Sequence, residues 1–217
     1  KISDQIGIDL NKKFITINLR DYEYFKKYHS HMDKDYWNVK NCNIEDYKLS
    51  IQYLISNGYQ VIRTGKGSEK KLIINDKNYF DITNHELRSD MFELYLASKS
   101  KFLIGCNSGA TYANLYLFKK PTYISNALPI GLAFTSSNKV ITNFKSIFSK
   151  TNNKKISLTE MYERGLFFYQ FTDRYSKDDI YYKDVDPIII QKSVEELMLR
   201  CENKWIVSNE EIRLKRK

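Results

Sequence analysis

Charged and small polar side chains that could bind a phosphate group follow two apolar segments of the sequence. Arg20 and Asp21 come directly after the apolar run 14–19, and Arg63 closes a second run shortly before Gly65. A guanidinium group can hold a phosphate through paired hydrogen bonds, so we expect Arg20, Arg63 and Gly65 to contact a diphosphate. A carboxylate here can orient Arg20 or accept a proton in catalysis, which makes Asp21 a candidate general base. In the alternative interpretation, Arg20 and Asp21 form a solvated ion pair at the strand end, and Arg63 donates hydrogen bonds to carbonyl groups of the following loop.

A third strand end carries the most informative pattern, the segment 105–126, GCNSGATYANLYLFKKPTYISN. A buried strand is predicted to end at Gly105, and a helix to begin near Gly109. The free N–H groups and the dipole of a helix N-terminus favour a phosphate, and a glycine permits close approach of the backbone. We therefore predict that Asn107, Ser108 and Gly109 bind phosphate. In the alternative interpretation Ser108 only caps the helix.

Apolar periodicity places these residues on a framework of alternating strands and helices. Strands are predicted at 14–19, 59–63, 101–105, 121–125 and 140–141, with short extended pieces at 71–74 and 79–82. Helices are predicted at 44–57, 89–98, 109–118, 158–164 and 187–203, whereas 167–182 is expected to be irregular. Strand–helix–strand units with short connections form parallel sheets. We expect a Rossmann-like α/β fold in one domain spanning 1–203, with its core at about 13–150 and a basic tail at 204–217.

Further candidates for proton transfer and nucleotide contact lie outside the strand ends. His29 and His31 lie in the long polar segment 22–40, and either could act as a general base because histidine titrates near neutral pH. Surface histidines without a function are the alternative. Ser89 and Asp90 begin a helix and are predicted to contact the nucleotide-sugar donor, and His85, which lies beside this helix start, could approach the base or ribose.

Composition narrows the class of partner. The formal net charge is +9, which favours a polyanion: a phosphorylated substrate, anionic lipid or nucleic acid. Apart from the basic tail, the positive charge is dispersed along the chain, so we expect that nucleic acid is not a partner. Peripheral contact with an anionic membrane remains an expectation. The cysteines 42, 106 and 201 show no C-x-x-C spacing, which predicts neither a zinc site nor a disulfide framework. With no signal peptide or apolar span of about 18 residues, we expect a protein of the cytoplasm or of the inner face of the cytoplasmic membrane.

The strand–Ser-Gly–helix pattern followed by Lys-Pro and a strand resembles the donor domain of GT-B glycosyltransferases. Closer still is a family of glycosyltransferases from bacterial surface-polysaccharide loci, which this chain resembles at Arg20-Asp21, in the block Tyr47–Gly65 and in the block Ser89–Gly109. The resemblance covers roughly residues 13–165. The family usually has Asp where this chain has Glu93, and often Arg-Asn where it has Lys40-Asn41.

The resemblance implies transfer of a sugar from a nucleotide-sugar to a surface glycan or glycolipid acceptor, without a metal or another cofactor. A GT-B enzyme needs two α/β domains, so we expect an N-terminal domain that is separate or absent from this chain. Asp184 and Asp186 spell the D-x-D string of metal-dependent sugar transferases, but Asp186 also fits a helix cap before Pro187. The alternatives are a nucleotide-sugar-binding module without catalysis and, from charge alone, a nucleic-acid-binding protein.

Overall fold

The computed structural model describes residues 2–23, 26, 38–68, 70–133, 139–177, 179–208 and 213 of the 217-residue chain. Eight strands lie in this part of the chain: β1 (Phe14–Asn18), β2 (Gln60–Thr64), β3 (Tyr79–Asp81), β4 (Leu103–Cys106), β5 (Thr122–Ala127), β6 (Val140–Phe144), β7 (Ser146–Ser149) and β8 (Ile180–Lys183). Its α-helices are α1 (Ile2–Ile6), α2 (Lys48–Ser56), α3 (Asp90–Lys99), α4 (Gly109–Phe118), α5 (Leu158–Glu163), α6 (Thr172–Lys177) and α7 (Pro187–Cys201). Short 3₁₀ helices span Asn38–Lys40, Ile44–Tyr47 and Ile130–Leu132.

Six strands form one parallel sheet in the order β3-β2-β1-β4-β5-β6. The chain winds outward from β1 to β3, returns to place β4 on the other side of β1, and winds outward again. The sheet order therefore reverses between β1 and β4, and parallel sheets bind ligands at the carboxyl ends of strands beside such a reversal. This topology confirms the predicted Rossmann-like α/β fold.

Helices cover both faces of the sheet, as the apolar composition of its central strands requires. Alternate residues of a strand face opposite sides, so Ile15 and Ile17 pack in the cluster that includes α2 and α7, whereas Phe14 packs with residues of α3. On β5, Tyr123 joins the first cluster and Ile124 packs with Leu115 of α4. The helices α3 and α4 also pack against each other. Their N-termini therefore meet above the same edge of the sheet.

A second, smaller sheet follows the first. Strands β7 and β8 pair antiparallel, and their apolar side chains pack with residues of α5 and α6 in a separate cluster. The expectation that 167–182 would be irregular was wrong, because α6 and most of β8 lie there. Strand β7 and helix α1 were not predicted, and residues 71–74 form no strand in the described structure.

Side-chain caps fix several helix starts where the sequence predicted them. Ser89 accepts a hydrogen bond from Phe92 N, Ser108 from Thr111 N, and Asp186 from Ile188 N with Pro187 as the first helical residue. These caps satisfy N–H groups that have no partner within the helix. Within the described residues, no helix is both long and apolar enough to cross a membrane.

Candidate functional site

A cavity of about 530 Å³ opens where β1, β2 and β4 end and where α3 and α4 begin. It lies at the reversal of the sheet order, which is where open α/β sheets bind ligands. Seven residues predicted for donor binding or catalysis line it: Arg20, Asp21, Arg63, Gly65, Asp90, Ser108 and Gly109. The structure thus brings together side chains from three strand ends that are far apart in sequence.

One wall of the cavity is the N-terminus of α4. Ser108 caps the helix through Thr111 N at 3.3 Å, and its hydroxyl also lies 3.0 Å from Thr111 Oγ1. Gly109 and Ala110 are exposed, and a Cβ atom added to Gly109 would meet nothing within 4 Å. The first turn therefore presents backbone N–H groups and the positive end of the helix dipole to open space, as a phosphate requires.

Gly105, at the end of β4, has a different role. A Cβ atom added there would overlap the side chain of Thr111. Glycine is required at this position because α4 packs directly onto the strand that precedes it. Close packing of β4 and α4 keeps the helix N-terminus at the cavity.

Arg63 lies at the base of the cavity, and protein groups surround its guanidinium. Its side chain is 4% exposed. Nη1 donates to Asp81 Oδ2 at 2.9 Å and to Lys70 O at 2.6 Å, while Nη2 donates to Ser68 Oγ at 2.5 Å. Asp21 Oδ2 lies 4.0 Å from Nη2. Arg63 thus connects β2, β3 and the residues after β2, and it also lies at ion-pair distance from the carboxylate of Asp21.

Arg20 has a different environment. Its backbone N–H donates to Cys106 Sγ at 3.1 Å, which ties the residue after β1 to the end of β4. The ammonium group of Lys40 lies close enough to Arg20 to be affected by its charge. Burial, and to a smaller degree Arg20, lower the pKa of Lys40 to about 8. Lys40 Nζ also donates to Gln170 Oε1 at 3.1 Å. Two cations held near each other raise the local positive potential, which favours an anion.

Glu93 connects the turn after β2 to the start of α3. Its Oε1 accepts hydrogen bonds from Gly65 N at 2.8 Å and Arg88 Nε at 3.0 Å. Arg88 also forms an ion pair with Asp90 at 2.5 Å, and the side chain of Asp90 is 80% exposed. Gly65 has φ +124°, a conformation that L side chains rarely adopt, so the glycine and the carboxylate together set the shape of this turn. The family that the sequence resembles usually has Asp at this position, and in this chain the longer Glu93 side chain makes the connection.

Other predicted site residues have structural contacts instead. Asn107 is buried and its Nδ2 donates to Leu128 O at 2.5 Å, and Ser89 serves as a cap. The described lining of the cavity includes neither residue, nor His85, whose Nδ1 accepts from Leu87 N. A part for Asn107 or Ser89 in donor binding remains a prediction. His29 and His31 lie outside the described residues, as does most of the basic tail.

The D-x-D string lies away from the cavity lining. Asp186 caps α7, and Asp184 pairs with the buried ammonium group of Lys145 at 2.7 Å. No group of three or more His, Cys, Asp or Glu side chains among the described residues is arranged to hold a metal ion.

The cavity also has lining residues that sequence reasoning missed. Leu94 on α3, and Ala110, Ala113 and Asn114 on α4, extend it into the cleft between the two helices. Positions 109, 110, 113 and 114 share one face of a helix because residues four apart are neighbours. Because Gly109 was predicted to face a ligand, this helical spacing was the signal that could have identified the other lining residues of α4.

The known proteins that this chain resembles are distant in sequence and structure. No protein-family model matches the chain, and no curated protein matches it. Among solved structures, it is similar to the dodecameric iron-containing heptosyltransferase TibC in complex with ADP-D-β-D-heptose, at 15% identity over 63% of this chain and 34% of that chain, with a TM-score of 0.36. It is also similar to the bacterial iron-containing dodecameric glycosyltransferase TibC from enterotoxigenic E. coli H10407, at 14% identity over 88% of this chain and 45% of that chain, with a TM-score of 0.46. The chain spans less than half the length of these structures, and likeness of this degree carries no information about activity or ligand.

Proposed function

We propose that this chain is the donor-binding α/β part of a glycosyltransferase, which transfers a sugar from a nucleotide-sugar to a bacterial surface glycan or glycolipid. The observation that carries the proposal is the cavity at the reversal of the sheet order. It combines an open helix N-terminus, two arginines and a carboxylate from three strand ends. The sequence blocks Tyr47–Gly65 and Ser89–Gly109 support the same family of functions by resemblance.

The diphosphate of the donor is assigned to the first turn of α4. The exposed Gly109 and Ala110 let a phosphate approach the free N–H groups of the helix, which need an external acceptor. Arg20, which lines the cavity and lies near Lys40, contributes further positive charge. This charge stabilises the diphosphate as it departs with the electron pair of the glycosidic bond.

Asp21 is the proposed general base. Its side chain lines the cavity, is 18% exposed, and lies 4.0 Å from the Arg63 guanidinium. The carboxylate accepts the proton of the acceptor hydroxyl, whose oxygen then bonds to the anomeric carbon of the sugar as the diphosphate leaves. His29 and His31 are the second candidates for this proton transfer.

We propose that the reaction needs no divalent metal and no other cofactor. The helix dipole of α4 and the cationic side chains of the cavity supply the positive charge that a metal ion supplies in other sugar transferases. The carboxylates of the D-x-D string have other partners, Lys145 for Asp184 and the start of α7 for Asp186. We further propose that the acceptor is bound mainly by an N-terminal domain, separate or absent from this chain, at the inner face of the cytoplasmic membrane.

The experiment that tests this function combines donor binding with donor hydrolysis by the complete protein. Calorimetry with ADP, UDP, GDP and CDP should detect binding of at least one nucleotide. Release of that nucleotide from its sugar conjugates should continue in EDTA and should fall roughly 10²-fold in Asp21→Asn, the scale of a lost general base. The matched control Asp76→Asn replaces an exposed aspartate outside the cavity.

Each result has a distinct meaning. Absence of binding by every nucleotide contradicts the assignment of the cavity. Binding without hydrolysis or transfer indicates the alternative of a non-catalytic nucleotide-sugar-binding module. Activity that EDTA abolishes and manganese restores contradicts the metal-independent mechanism, and full activity in Asp21→Asn transfers the role of base to the histidines or to another domain.

A further inference from the structure

The donor cavity continues from the N-terminus of α4 into the cleft between α3 and α4. Leu94, Ala110 and Ala113 give this end apolar walls, and Asn114 is its polar group on α4. Ala110 and Ala113 are exposed and Leu94 is partly buried, so the walls are open to a ligand of the cavity. Apolar walls with few well-placed polar groups are typical of small-molecule binding sites.

Asn114 carries a polar atom that has no hydrogen-bond partner among the residues that the structure describes. Its Oδ1 is buried and accepts no hydrogen bond within the described part of the chain. Buried polar atoms in folded proteins nearly always have a hydrogen-bond partner, because an unsatisfied one loses its interaction with water. Asn114 also lines the cavity, so its amide lies beside the space that a bound ligand would occupy.

Distance along the helix relates Asn114 to the diphosphate. It lies five residues after Gly109, which is about 7.5 Å along the axis of α4 at 1.5 Å per residue. A diphosphate at Gly109 therefore leaves room for the ribose along the first turn of α4 and brings the base to the apolar end of the cavity.

We propose that Asn114 recognises the nucleobase of the donor, which lies flat between Leu94 and the alanines of α4. A carboxamide offers a donor and an acceptor side by side, the arrangement that pairs with the edge of a base. This inference rests on the proposed function, since it assumes a nucleoside diphosphate in the cavity. It adds the residue that determines which nucleotide binds.

Calorimetry of Asn114→Ala with nucleoside diphosphates and inorganic pyrophosphate tests the proposal. Alanine is the best helix former, so this substitution within α4 should leave the fold intact. Affinity for the preferred nucleoside diphosphate should fall at least tenfold, whereas affinity for pyrophosphate should not change. The matched control Asn75→Ala replaces an exposed asparagine outside the cavity and should change neither affinity.

A second variant, Asn114→Asp, tests the hydrogen-bond pattern itself. A carboxylate is only an acceptor. Guanine presents two neighbouring donors on one edge, whereas adenine presents a donor beside an acceptor that a carboxylate repels. The ratio of GDP affinity to ADP affinity should therefore rise at least tenfold relative to the parent protein.

The outcomes separate this inference from the proposed function. If the parent protein binds neither pyrophosphate nor any nucleoside diphosphate, the proposed function fails, and the inference fails with it. If nucleotides bind but Asn114→Ala weakens pyrophosphate equally, or weakens nothing, Asn114 does not recognise the base although the proposed function survives. An unchanged GDP-to-ADP ratio in Asn114→Asp also contradicts the proposed pairing.

Discussion

Two of the arginines that line the cavity, Arg20 and Arg63, lie at the ends of neighbouring strands, yet their surroundings differ. Arg63 lies opposite Asp81 in the register of β2 and β3, and its guanidinium donates to Asp81, Ser68 and Lys70. Arg20 lies near Lys40, and its positive charge contributes to the low pKa of that ammonium group. Protein acceptors surround the guanidinium of Arg63, whereas a second cation, Lys40, lies near Arg20.

This difference shows that a position at a strand end does not determine which groups an arginine binds. The donors of Arg63 are committed to protein acceptors, so its main effect is to join β2, β3 and the turn between them. Because a second cation lies near Arg20, we expect a bound anion to gain from the positive charge on that side of the cavity. Contact of Arg63 with a diphosphate remains a prediction, and its structural contacts are the better documented role.

The largest expected effect is the loss of the contacts of Arg63. Arg63→Met keeps a long side chain but removes the buried guanidinium, and it leaves the partly buried carboxylate of Asp81 without its cation. Breaking one side of a buried ion pair typically costs about 3–5 kcal/mol, so the free energy of unfolding should fall by about 3 kcal/mol. Urea unfolding followed by circular dichroism measures the change.

The matched control for Arg63→Met is Arg164→Met. Arg164 pairs with Glu160 on the surface of α5, with both side chains 39% exposed. Exposed pairs of this kind contribute little, so stability should change by less than about 0.5 kcal/mol. Equal changes in the two variants would show that the contacts of Arg63 are not stabilising, and the comparison between the two arginines would lose its basis.

A smaller effect, confined to binding, is expected at the open helix start. Gly109→Val adds a side chain where no protein atom lies within 4 Å, so the fold should tolerate it while the first turn of α4 becomes blocked. Affinity for nucleoside diphosphate should fall tenfold or more, which is about 1.4 kcal/mol. Calorimetry and thermal unfolding of the same protein separate the two effects.

Leu158→Val provides the control for Gly109→Val. Leu158 is also the first residue of a serine-capped helix, is 60% exposed, and lies away from the cavity. It should bind nucleotide as the parent protein does. Undiminished affinity in a folded Gly109→Val protein would remove the diphosphate from the start of α4.

The sequence predicts the larger sheet well because its signals are local. Short apolar runs, serine caps and the short connection through Gly58 indicate each strand and helix separately, and parallel pairing follows from their alternation. The smaller sheet was missed because β7 and β8 pair although thirty residues of the chain separate them. Tyr181 and Tyr182 in β8 are adjacent aromatic residues that do not show the alternation of a half-buried strand.

The residues of the candidate site were predictable where their signals were also local. Arg20, Asp21, Ser108 and Gly109 were identified from their positions after strands, and all four line the cavity. Whether an arginine faces ligand or protein depends on neighbouring strands, and the pairing of Arg63 with Asp81 follows only from the register of β2 and β3. Asn114 was missed because its exposure to the cavity depends on how α3 and α4 pack.

The smallest expected effect, and the most direct test of the charge around Arg20, is the pH dependence caused by Lys40. Its pKa of about 8 in the folded protein lies below the ordinary lysine value of 10.5, first because of burial and second because of Arg20. Between these values the unfolded chain binds more protons than the folded protein, so the free energy of unfolding rises with pH. The cost of the charged ammonium is fully present below pH 8 and is relieved as the pH rises toward 10.5.

Comparison of the parent protein with Lys40→Gln isolates this contribution, because the other titrating groups are common to both proteins. From pH 7.5 to pH 10, the parent should gain about 1 kcal/mol of stability relative to the variant, a value reduced for solvent screening of a partly buried group. Urea unfolding at several pH values measures the difference.

Saturating pyrophosphate should move this gain in stability to higher pH, because an anion bound beside Arg20 favours the charged form of Lys40. Parallel stability curves for the two proteins would show that Lys40 titrates normally, and an unchanged curve in pyrophosphate would place the bound anion away from Arg20.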